Sequence, residues 1–472
     1  MLQQSRESTL KTALMLLTSA VFLGMAITSP IQGQILAVIF FALVVWSLYP
    51  ERHLESSIII ILLLAYFQAS LSIDEFIDSL FATYGGSGLW IIITGFVLAK
   101  ALESSGLARR IALWIATSLG GNPRNIILSV AFANLAVSPL SPSTTAKAFL
   151  LLPICTALVE AFNVEKGRSN YGTAVMLMVM AANNICSTAF LTATVPNPIS
   201  AGYLKDIAGI ELGWTQWFTM AFPLCILLLL AAWFICVRMF PPEVEKTPEF
   251  VEKIEDLRNG LGPMTRREQI VALFFTVSLV LWITDNMHSY NSGLISLAFS
   301  LVLFIPQLGV MKIGKFTGEV PWGSITLFAA SMFLAKAVGN YNALDPVATA
   351  FFNLLNLSVF EPMIFTALMV TAAMFMHIVF TSTTVYATVM IPLVISLSQL
   401  QGVAVEQVAL PVAFLAPVAV ILTVNTIPNV VFYGAGYFSQ KQIVKYGLIV
   451  SLVSVLIVLL IGMPYWQMTG FL

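Results

Sequence analysis

Two short runs of hydroxyl side chains could bind an anion, because they recur in two similar stretches of the sequence. Ser143-Thr144-Thr145 and Ser382-Thr383-Thr384 lie 239 residues apart, and each is followed at the same spacing by an alanine and then a proline. Serine and threonine favour the position that caps the start of a helix. A helix start offers free N–H groups and about half a positive charge. We therefore predict that these six residues bind an anion at two helix starts.

A second pair of matched elements follows the hydroxyl runs in the same order. Thr194-Val195-Pro196-Asn197 and Thr426-Ile427-Pro428-Asn429 lie 232 residues apart. Proline interrupts a helix and frees backbone groups, while an asparagine amide donates two hydrogens. Two matched elements in one order indicate an internal repeat. The residues predicted to join the anion site from these elements are Thr194, Asn197, Thr426, Pro428 and Asn429.

Three further polar positions in apolar stretches admit two interpretations each. Lys147 follows the first hydroxyl run, and it either faces a substrate carboxylate as a fixed cation or is bound internally by an acid or by carbonyl groups. Tyr386 stands at the matching position, so the charge is not repeated. His377 is either a satisfied buried group or a proton-linked or substrate-binding residue. Asn183 and Asn184 either line the cavity or bridge helices.

The composition places these residues in a membrane protein. Of the 472 residues, 58% are hydrophobic and 10% are charged, whereas soluble domains have about 25% charged residues. So much apolar surface needs the bilayer as its solvent. The net charge of -1 gives no bulk field for binding nucleic acid. The four cysteines show no metal-ligand spacing, and no cofactor is expected.

The apolar pattern predicts an all-α membrane protein with about 11 spans. Apolar segments are predicted at 12–29, 31–49, 56–71, 87–104, 126–162, 171–203, 215–238, 268–284, 292–307, 323–340, 362–400, 407–437 and 446–468. Segments 126–162 and 362–400 are interpreted as re-entrant helical hairpins, and 171–203 and 407–437 as broken helices. In the first hairpin about 12 residues precede the polar tip, or roughly 18 Å of helix, which is short of the roughly 30 Å apolar core.

The repeat and the charges predict the domain organisation and the orientation. Residues 1–240 form one inverted repeat, with scaffold helices over 12–104, and residues 265–472 form the other. The hydrophilic stretch 241–264 is a cytoplasmic linker. Lysine and arginine stay in cytoplasmic loops, and their distribution puts the N-terminus in the cytoplasm and the C-terminus outside. This alternation holds only if both hairpins enter and leave on one side. The membrane predicted is a bacterial inner membrane.

The chain resembles the divalent anion:sodium symporter family along nearly its whole length. Within the family it is most similar to the citrate/succinate and tartrate/succinate exchangers of bacteria and to the plastid 2-oxoglutarate/malate translocators. The stretches that carry the resemblance are Ser141–Lys147, Ser382–Thr384, Thr194–Asn197, Thr426–Asn429, Leu212–Trp217 and Gly262–Glu268.

The resemblance implies a homodimer in which each protomer has a scaffold and a transport domain that slides across the membrane like an elevator. The substrate, a small organic anion such as succinate, malate, 2-oxoglutarate, tartrate or citrate, would lie between the two hairpin tips. The family's tip motif is typically Ser-Asn-Thr, and it helps to form sodium sites, which here would lie near Ser143, Thr144 and Thr383. Both middle positions are threonine in this chain. Exchange with Lys147 as the fixed cation is therefore expected.

Other functions remain as alternatives. A sodium-coupled symporter of dicarboxylate or sulfate-like anions would leave Lys147 a structural residue. A membrane-embedded enzyme would need converging acid, base or metal groups, and the sequence contains no HExxH, GxSxG or Walker motif. A passive channel would not need two capped hairpins of opposite direction.

Overall fold

The chain forms an all-helical structure in every part that is described. The computed structural model describes residues 15, 17–27, 29–69, 72–85, 87–116, 118, 122–162, 164–245, 252, 256, 259–284, 297–298 and 300–472, and the regular elements within these ranges are helices. The first residues of the predicted segment 292–307 lie outside the described residues, as do the first residues of segment 12–29 and much of the linker 241–264.

The first half contains eleven of the described helices. They are α1 Leu17–Ile27, α2 Ile31–Leu48, α3 His53–Ala69, α4 Ile73–Tyr84, α5 Ser87–Ser105, α6 Leu107–Ala116, α7 Pro123–Val137, α8 Thr144–Glu160, α9 Asn170–Ile185, α10 Pro196–Ala208 and α11 Trp214–Met239. Short 3₁₀ turns occur at Pro50–Arg52, Ser138–Leu140 and Cys186–Thr188. The last two of these turns lie where the sequence predicts that helices break.

The second half supplies the remaining helices of the described chain. They are α12 Arg266–Ile283, α13 Ile313–Glu319, α14 Trp322–Tyr341, α15 Asp345–Leu354, α16 Pro362–Met376, α17 Thr383–Gln401, α18 Val405–Leu415, α19 Ile427–Gly434, α20 Gln440–Ile457 and α21 Met463–Thr469. Turns of 3₁₀ helix lie at Pro306–Leu308, Leu357–Val359 and Thr423–Asn425, and one π-helical turn lies at Val458–Gly462.

Five helical stretches of the described chain are long and apolar enough to cross a membrane. They are Ile31–Leu48, Trp214–Met239, Trp322–Tyr341, Thr383–Gln401 and Gln440–Thr469. The stretch Thr383–Gln401 is α17, the second arm of the predicted hairpin 362–400. Both predicted hairpins are pairs of helices separated by non-helical residues, at 141–143 and at 377–382. Whether each pair re-enters the membrane on one side stays a prediction.

The helix that follows each hairpin tip packs against a helix of the other half of the chain. α8 follows the first tip and packs against α19 of the second half, and α17 follows the second tip and packs against α10 of the first. Each also packs against the helix that leads into its own half's broken segment, α9 for α8 and α18 for α17. A separate apolar cluster joins α2, α3 and α14. The hairpin and broken helices therefore form one shared body beside a second group of helices.

α20 packs against this shared body through a direct contact between two backbones, with no side chain between them. A methyl group added at Gly447 of α20 would lie 2.2 Å from the carbonyl oxygen of Val420 and 2.7 Å from the Cα of Ile421. Both residues belong to the non-helical stretch between α18 and α19. Only glycine permits so close an approach of two backbones.

One arginine fastens the downstream end of the linker to the first half. The Arg110 guanidinium contacts the Glu268 carboxylate at 2.7 Å and donates to the carbonyl oxygens of Gly262 at 2.8 Å, Leu261 at 2.9 Å and Pro263 at 3.2 Å. Glu268 also completes the N-terminal capping box of α12 with Thr265. The start of the second half is thereby bound to α6.

Candidate functional site

The two tip serines cap the helices that follow them, as the sequence predicts. The Ser143 hydroxyl accepts a hydrogen bond from the backbone N–H of Ala146 at 3.1 Å, and the Ser382 hydroxyl accepts one from Val385 at 3.4 Å. Ser143, Thr144, Thr145, Ser382, Thr383 and Thr384 are all partly exposed. A hydroxyl that accepts a hydrogen bond keeps its own hydrogen, which an anion can receive.

Lys147 lies one helical turn past the first tip and is 1% exposed. Its ammonium donates to the Ser187 hydroxyl at 2.8 Å, to the Ala193 carbonyl oxygen at 3.2 Å and to the Ser138 hydroxyl at 3.3 Å. No carboxylate of the described residues forms an ion pair with it. The structure thus surrounds a buried lysine nitrogen with neutral oxygen atoms and with no carboxylate of the described chain, and the role of Lys147 as a fixed cation that faces the substrate stays a prediction.

The two Thr-x-Pro-Asn elements make the same hydrogen bonds at the same spacing. The Asn197 amide donates to the carbonyl oxygens ten and seven residues before it, Ser187 at 2.7 Å and Phe190 at 2.8 Å. The Asn429 amide does the same to Ala419 at 2.8 Å and Leu422 at 2.9 Å. In this structure both amide groups hold the break between two helices, and anion binding by them stays a prediction.

The other residues of these elements lie beside the breaks. Thr426 caps α19 by accepting from the Asn429 N–H at 3.4 Å, and Pro428 is buried in the first turn of that helix. Thr194 is 4% exposed and lies in the non-helical stretch before α10. These three residues therefore support the same breaks that the asparagines hold.

Adjacent asparagines connect the first tip to the second half. The Asn183 amide donates to the Thr144 carbonyl oxygen at 2.9 Å, and the Asn184 amide donates to the Asn429 Oδ1 atom at 3.0 Å. Both asparagines are buried in α9. Of the two interpretations open from the sequence, the structure shows that these residues bridge helices.

His377 occupies the second tip in a comparable buried position, with 1% of its surface exposed. Its Nδ1 and Nε2 atoms each lie 3.0 Å from a backbone carbonyl oxygen, of Met374 and of Ala416 respectively. A carbonyl oxygen only accepts, so both nitrogens can donate only when the ring is an imidazolium. A neutral ring can donate to one of these carbonyl oxygens, and in either form the ring is bonded to backbone rather than open to solvent.

A cleft of about 710 Å³ borders the first tip. Ser141, Ser143 and Thr145 line it on one side, while α5, α6 and α13 line it opposite. A smaller adjoining cavity of about 50 Å³ shares Ser141 with the cleft and extends to Lys147. The cleft therefore brings the first tip and the approach to Lys147 together. Its lining does not include the following predicted site residues: Thr144, Lys147, Thr194, Asn197, His377, Ser382, Thr383, Thr384, Thr426, Pro428 and Asn429.

Four charged residues of the cleft were not predicted as site residues. Lys100 pairs with Glu103 at 3.0 Å and with Glu319 at 2.8 Å, and Arg109 lines the same cleft. The sequence places Lys100 and Glu103 near the end of an apolar helix, which is typical of residues at a membrane surface. Glu319, the last residue of α13, reaches them from a distant part of the chain through its ion pair with Lys100.

The tip presses closely against α5. A methyl group added at Gly95 of α5 would lie 3.1 Å from the Cγ atom of Pro142, which lies between Ser141 and Ser143. α5 also packs against the 3₁₀ turn Ser138–Leu140. The glycine therefore lets the tip approach the opposing helix.

Known proteins agree with a transporter on this fold. The citrate/succinate antiporter of Escherichia coli is 25% identical over 82% of this chain and 80% of that protein. The sodium-dependent dicarboxylate transporter SdcS of Staphylococcus saprophyticus is 26% identical over 80% of this chain and 76% of that protein. The solved structure of the YdaH transporter of Alcanivorax borkumensis shares the fold with a TM-score of 0.56 at 14% identity, covering 84% of this chain and 89% of that one.

The family assignment covers almost the entire sequence. A family model described as the sodium:sulfate symporter transmembrane region matches residues 6–472. The family and the relatives are transporters, so the alternative of a membrane-embedded enzyme is excluded. The chain is thus an integral membrane transporter and belongs to the sodium:sulfate symporter family, which is the divalent anion:sodium symporter family.

Proposed function

We propose that this protein exchanges dicarboxylates or related organic anions across a bacterial inner membrane, with no sodium gradient. The substrate class comprises succinate, malate, 2-oxoglutarate, tartrate and citrate. Relatives named as citrate/succinate and tartrate/succinate antiporters support this class. The N-terminus would lie in the cytoplasm and the C-terminus outside.

The observation that carries the proposal is the position of the Lys147 ammonium. It is buried one turn past the first tip, among two hydroxyls and a carbonyl oxygen, without a carboxylate partner in the described chain. A charge at the centre of a membrane costs about 2.5–3.5 kcal/mol even on the most permissive scale. A bound anion at the tip would offset that charge, because opposite charges attract strongly where water is excluded.

Exchange follows from this arrangement. With substrate on the Ser143 helix start, the positive charge of Lys147 and the carboxylate would cross the membrane as a pair of opposite sign. Without substrate, the uncompensated ammonium would have to cross alone. The return of the empty site is therefore slow, and the carrier returns with a second anion instead.

The movement we propose is an elevator motion within a homodimer. The helices that hold the breaks pack as one body beside the cluster of α2, α3 and α14, and the first tip contacts α5 through Gly95 and Pro142. Sliding of this body against its neighbours would carry the tips and the anion together. The second tip would face the same anion in the closed state.

Counterflow in proteoliposomes tests exchange. Vesicles preloaded with unlabelled succinate should take up labelled succinate in sodium-free buffer, and vesicles without internal substrate should not. Lys147→Ala should reduce counterflow at least tenfold, which corresponds to about 1.4 kcal/mol. Uptake that requires a sodium gradient in the wild-type protein would overturn the proposal.

Sodium-coupled symport is the second candidate, and one observation favours it. The buried Oδ1 atoms of Asn183 and Asn197 have no hydrogen-bond partner among the described residues. Both residues are bonded to Ser187, whose hydroxyl accepts from the Lys147 nitrogen: the Asn197 amide donates to the Ser187 carbonyl oxygen, and the Ser187 hydroxyl donates to the Asn183 carbonyl oxygen. Such oxygens suit a hard cation. Near-normal uptake by Lys147→Ala, with persistent sodium dependence, would favour this alternative.

A further inference from the structure

We infer that Arg109 forms a capture subsite for a substrate carboxylate at the mouth of the cleft, separate from the hairpin tip. This inference rests on the proposed function, because it assigns an entry position for the same dicarboxylate.

The charges of the cleft leave one cation available. Four charged residues line it, namely Lys100, Glu103, Arg109 and Glu319. Lys100 is bound by both carboxylates, at 3.0 Å by Glu103 and at 2.8 Å by Glu319. Arg109 is exposed and forms no ion pair with any described residue.

The neighbouring arginine shows by contrast that this is not a general feature of α6. The Arg110 guanidinium donates hydrogen bonds to Glu268 and to three backbone carbonyl oxygens of the linker. Arg109 lies on the face that borders the cleft instead. A guanidinium matches a carboxylate with two parallel hydrogen bonds, so a planar anion is the ligand that it suits.

The walls of the cleft give the anion a path inward. Phe96 and Phe149 line it together with Ser143 and Thr145. A C4–C6 dicarboxylate has an apolar carbon chain between two carboxylates. One carboxylate can pair with Arg109 while the other advances toward the Ser143 helix start. Glu103 borders both the cleft and the smaller cavity near Lys147. Its carboxylate repels the entering anion.

Sided kinetics test this subsite. Labelled succinate counterflow is measured in right-side-out and in everted membrane vesicles over a range of succinate concentrations. Arg109→Gln should raise KM about threefold to fivefold on the face to which the cleft opens, as removal of a partly exposed ion pair does. KM on the other face and kcat should stay unchanged. High ionic strength should abolish the difference, since exposed charges are screened by salt.

Two companion variants sharpen the result. Glu103→Gln should lower KM on the same face, because it removes a negative charge from the cleft. Arg168→Gln is the matched control, since Arg168 is exposed, pairs only locally with Glu165 and does not line the cleft. It should leave KM unchanged on both faces.

The outcomes separate the two proposals. Wild-type vesicles that show no dicarboxylate counterflow would overturn the proposed function. Active wild-type protein with an unchanged KM in Arg109→Gln on both faces would overturn the subsite alone. An effect of Arg109→Gln that vanishes in pure phosphatidylcholine proteoliposomes would instead assign Arg109 to an anionic lipid headgroup, and it would overturn the subsite as well.

Discussion

The ring of His377 stacks on the ring of Tyr386, with centroids 3.9 Å apart and planes inclined by 23°. These two positions match Ser138 and Lys147 of the first half at the spacing of the repeat, 239 residues. Ser138 and Lys147 are also in contact, through a hydrogen bond of 3.3 Å. The repeat therefore preserves a contact between the same two positions while it changes the chemistry. In one half the return helix supplies the basic side chain, and in the other half His377, the first residue of the tip, does.

Replacing His377 tests whether the second half needs a group that can carry a positive charge at this position. His377→Gln keeps a polar side chain but cannot become positively charged, so we expect sodium-free counterflow to fall at least tenfold, or about 1.4 kcal/mol. Tyr386→Phe is the control, because it keeps the stacked ring and loses only the hydrogen bond to the Ala373 carbonyl at 2.9 Å. A folded His377→Gln protein that exchanges at the wild-type rate would contradict the prediction.

We expect Asn197 and Asn429 to contribute equally to the stability of the fold. Asn197→Asp and Asn429→Asp each replace two donated hydrogens with acceptors that face two carbonyl oxygens. We expect each to lower the free energy of unfolding by more than the corresponding alanine variant, whose cost is about 1–3 kcal/mol. Thermal unfolding of purified protein measures this order. Asn353→Ala, at an exposed position of α15, should leave the melting temperature unchanged. An aspartate variant as stable as wild type would show that these bonds carry little weight.

Gly95 offers a test of sliding between the tip and α5. Gly95→Ala places a methyl group 3.1 Å from Pro142, and overpacking of this kind costs about 1–3 kcal/mol. If the contact must be passed during transport, exchange should slow about fivefold or more. Gly314→Ala, which meets no atom within 4 Å, is the matched control. Equal rates for both variants would argue against movement at this contact.

The Arg110 contacts predict a stability effect at the junction of the two halves. Arg110→Gln leaves the Glu268 carboxylate, which is 4% exposed at the residue level, without its charge partner. We expect a loss of about 1.5–3 kcal/mol, as for hydrogen bonds to charged groups, measured as a lower melting temperature. Arg168→Gln removes an ion pair whose side chains are 82% and 72% exposed, and it should have almost no effect. Equal melting temperatures for both variants would contradict the prediction.

The sequence predicted the breaks better than it predicted their contacts. Ser143, Ser382 and the Thr-x-Pro-Asn elements signal where helices start and stop, because capping and proline act through nearest neighbours in the chain. Proline and hydroxyl spacing cannot reveal that the Asn197 amide turns back to the carbonyls of Ser187 and Phe190. That depends on how the non-helical stretch folds.

The contacts of the charged residues could not be predicted from the sequence for the same reason. The oxygen atoms around Lys147 come from two separate stretches of chain, the turn at Ser138 and the break that contains Ser187 and Ala193. The ion pair of Lys100 with Glu319 joins residues more than two hundred positions apart. Contacts of this kind follow from tertiary packing, which no local pattern in a single sequence encodes.

The close backbone contact of Gly447 with Val420 and Ile421 determines which helices must move together during transport. Two backbones in such close contact cannot slip past one another, so α20 is bound to the stretch whose carbonyls hold Asn429. In an elevator motion α20 would belong to the moving transport domain and not to the stationary scaffold domain. Cross-links between α20 and α19 should then leave transport intact, whereas a cross-link from α20 to the stationary helices should arrest the carrier.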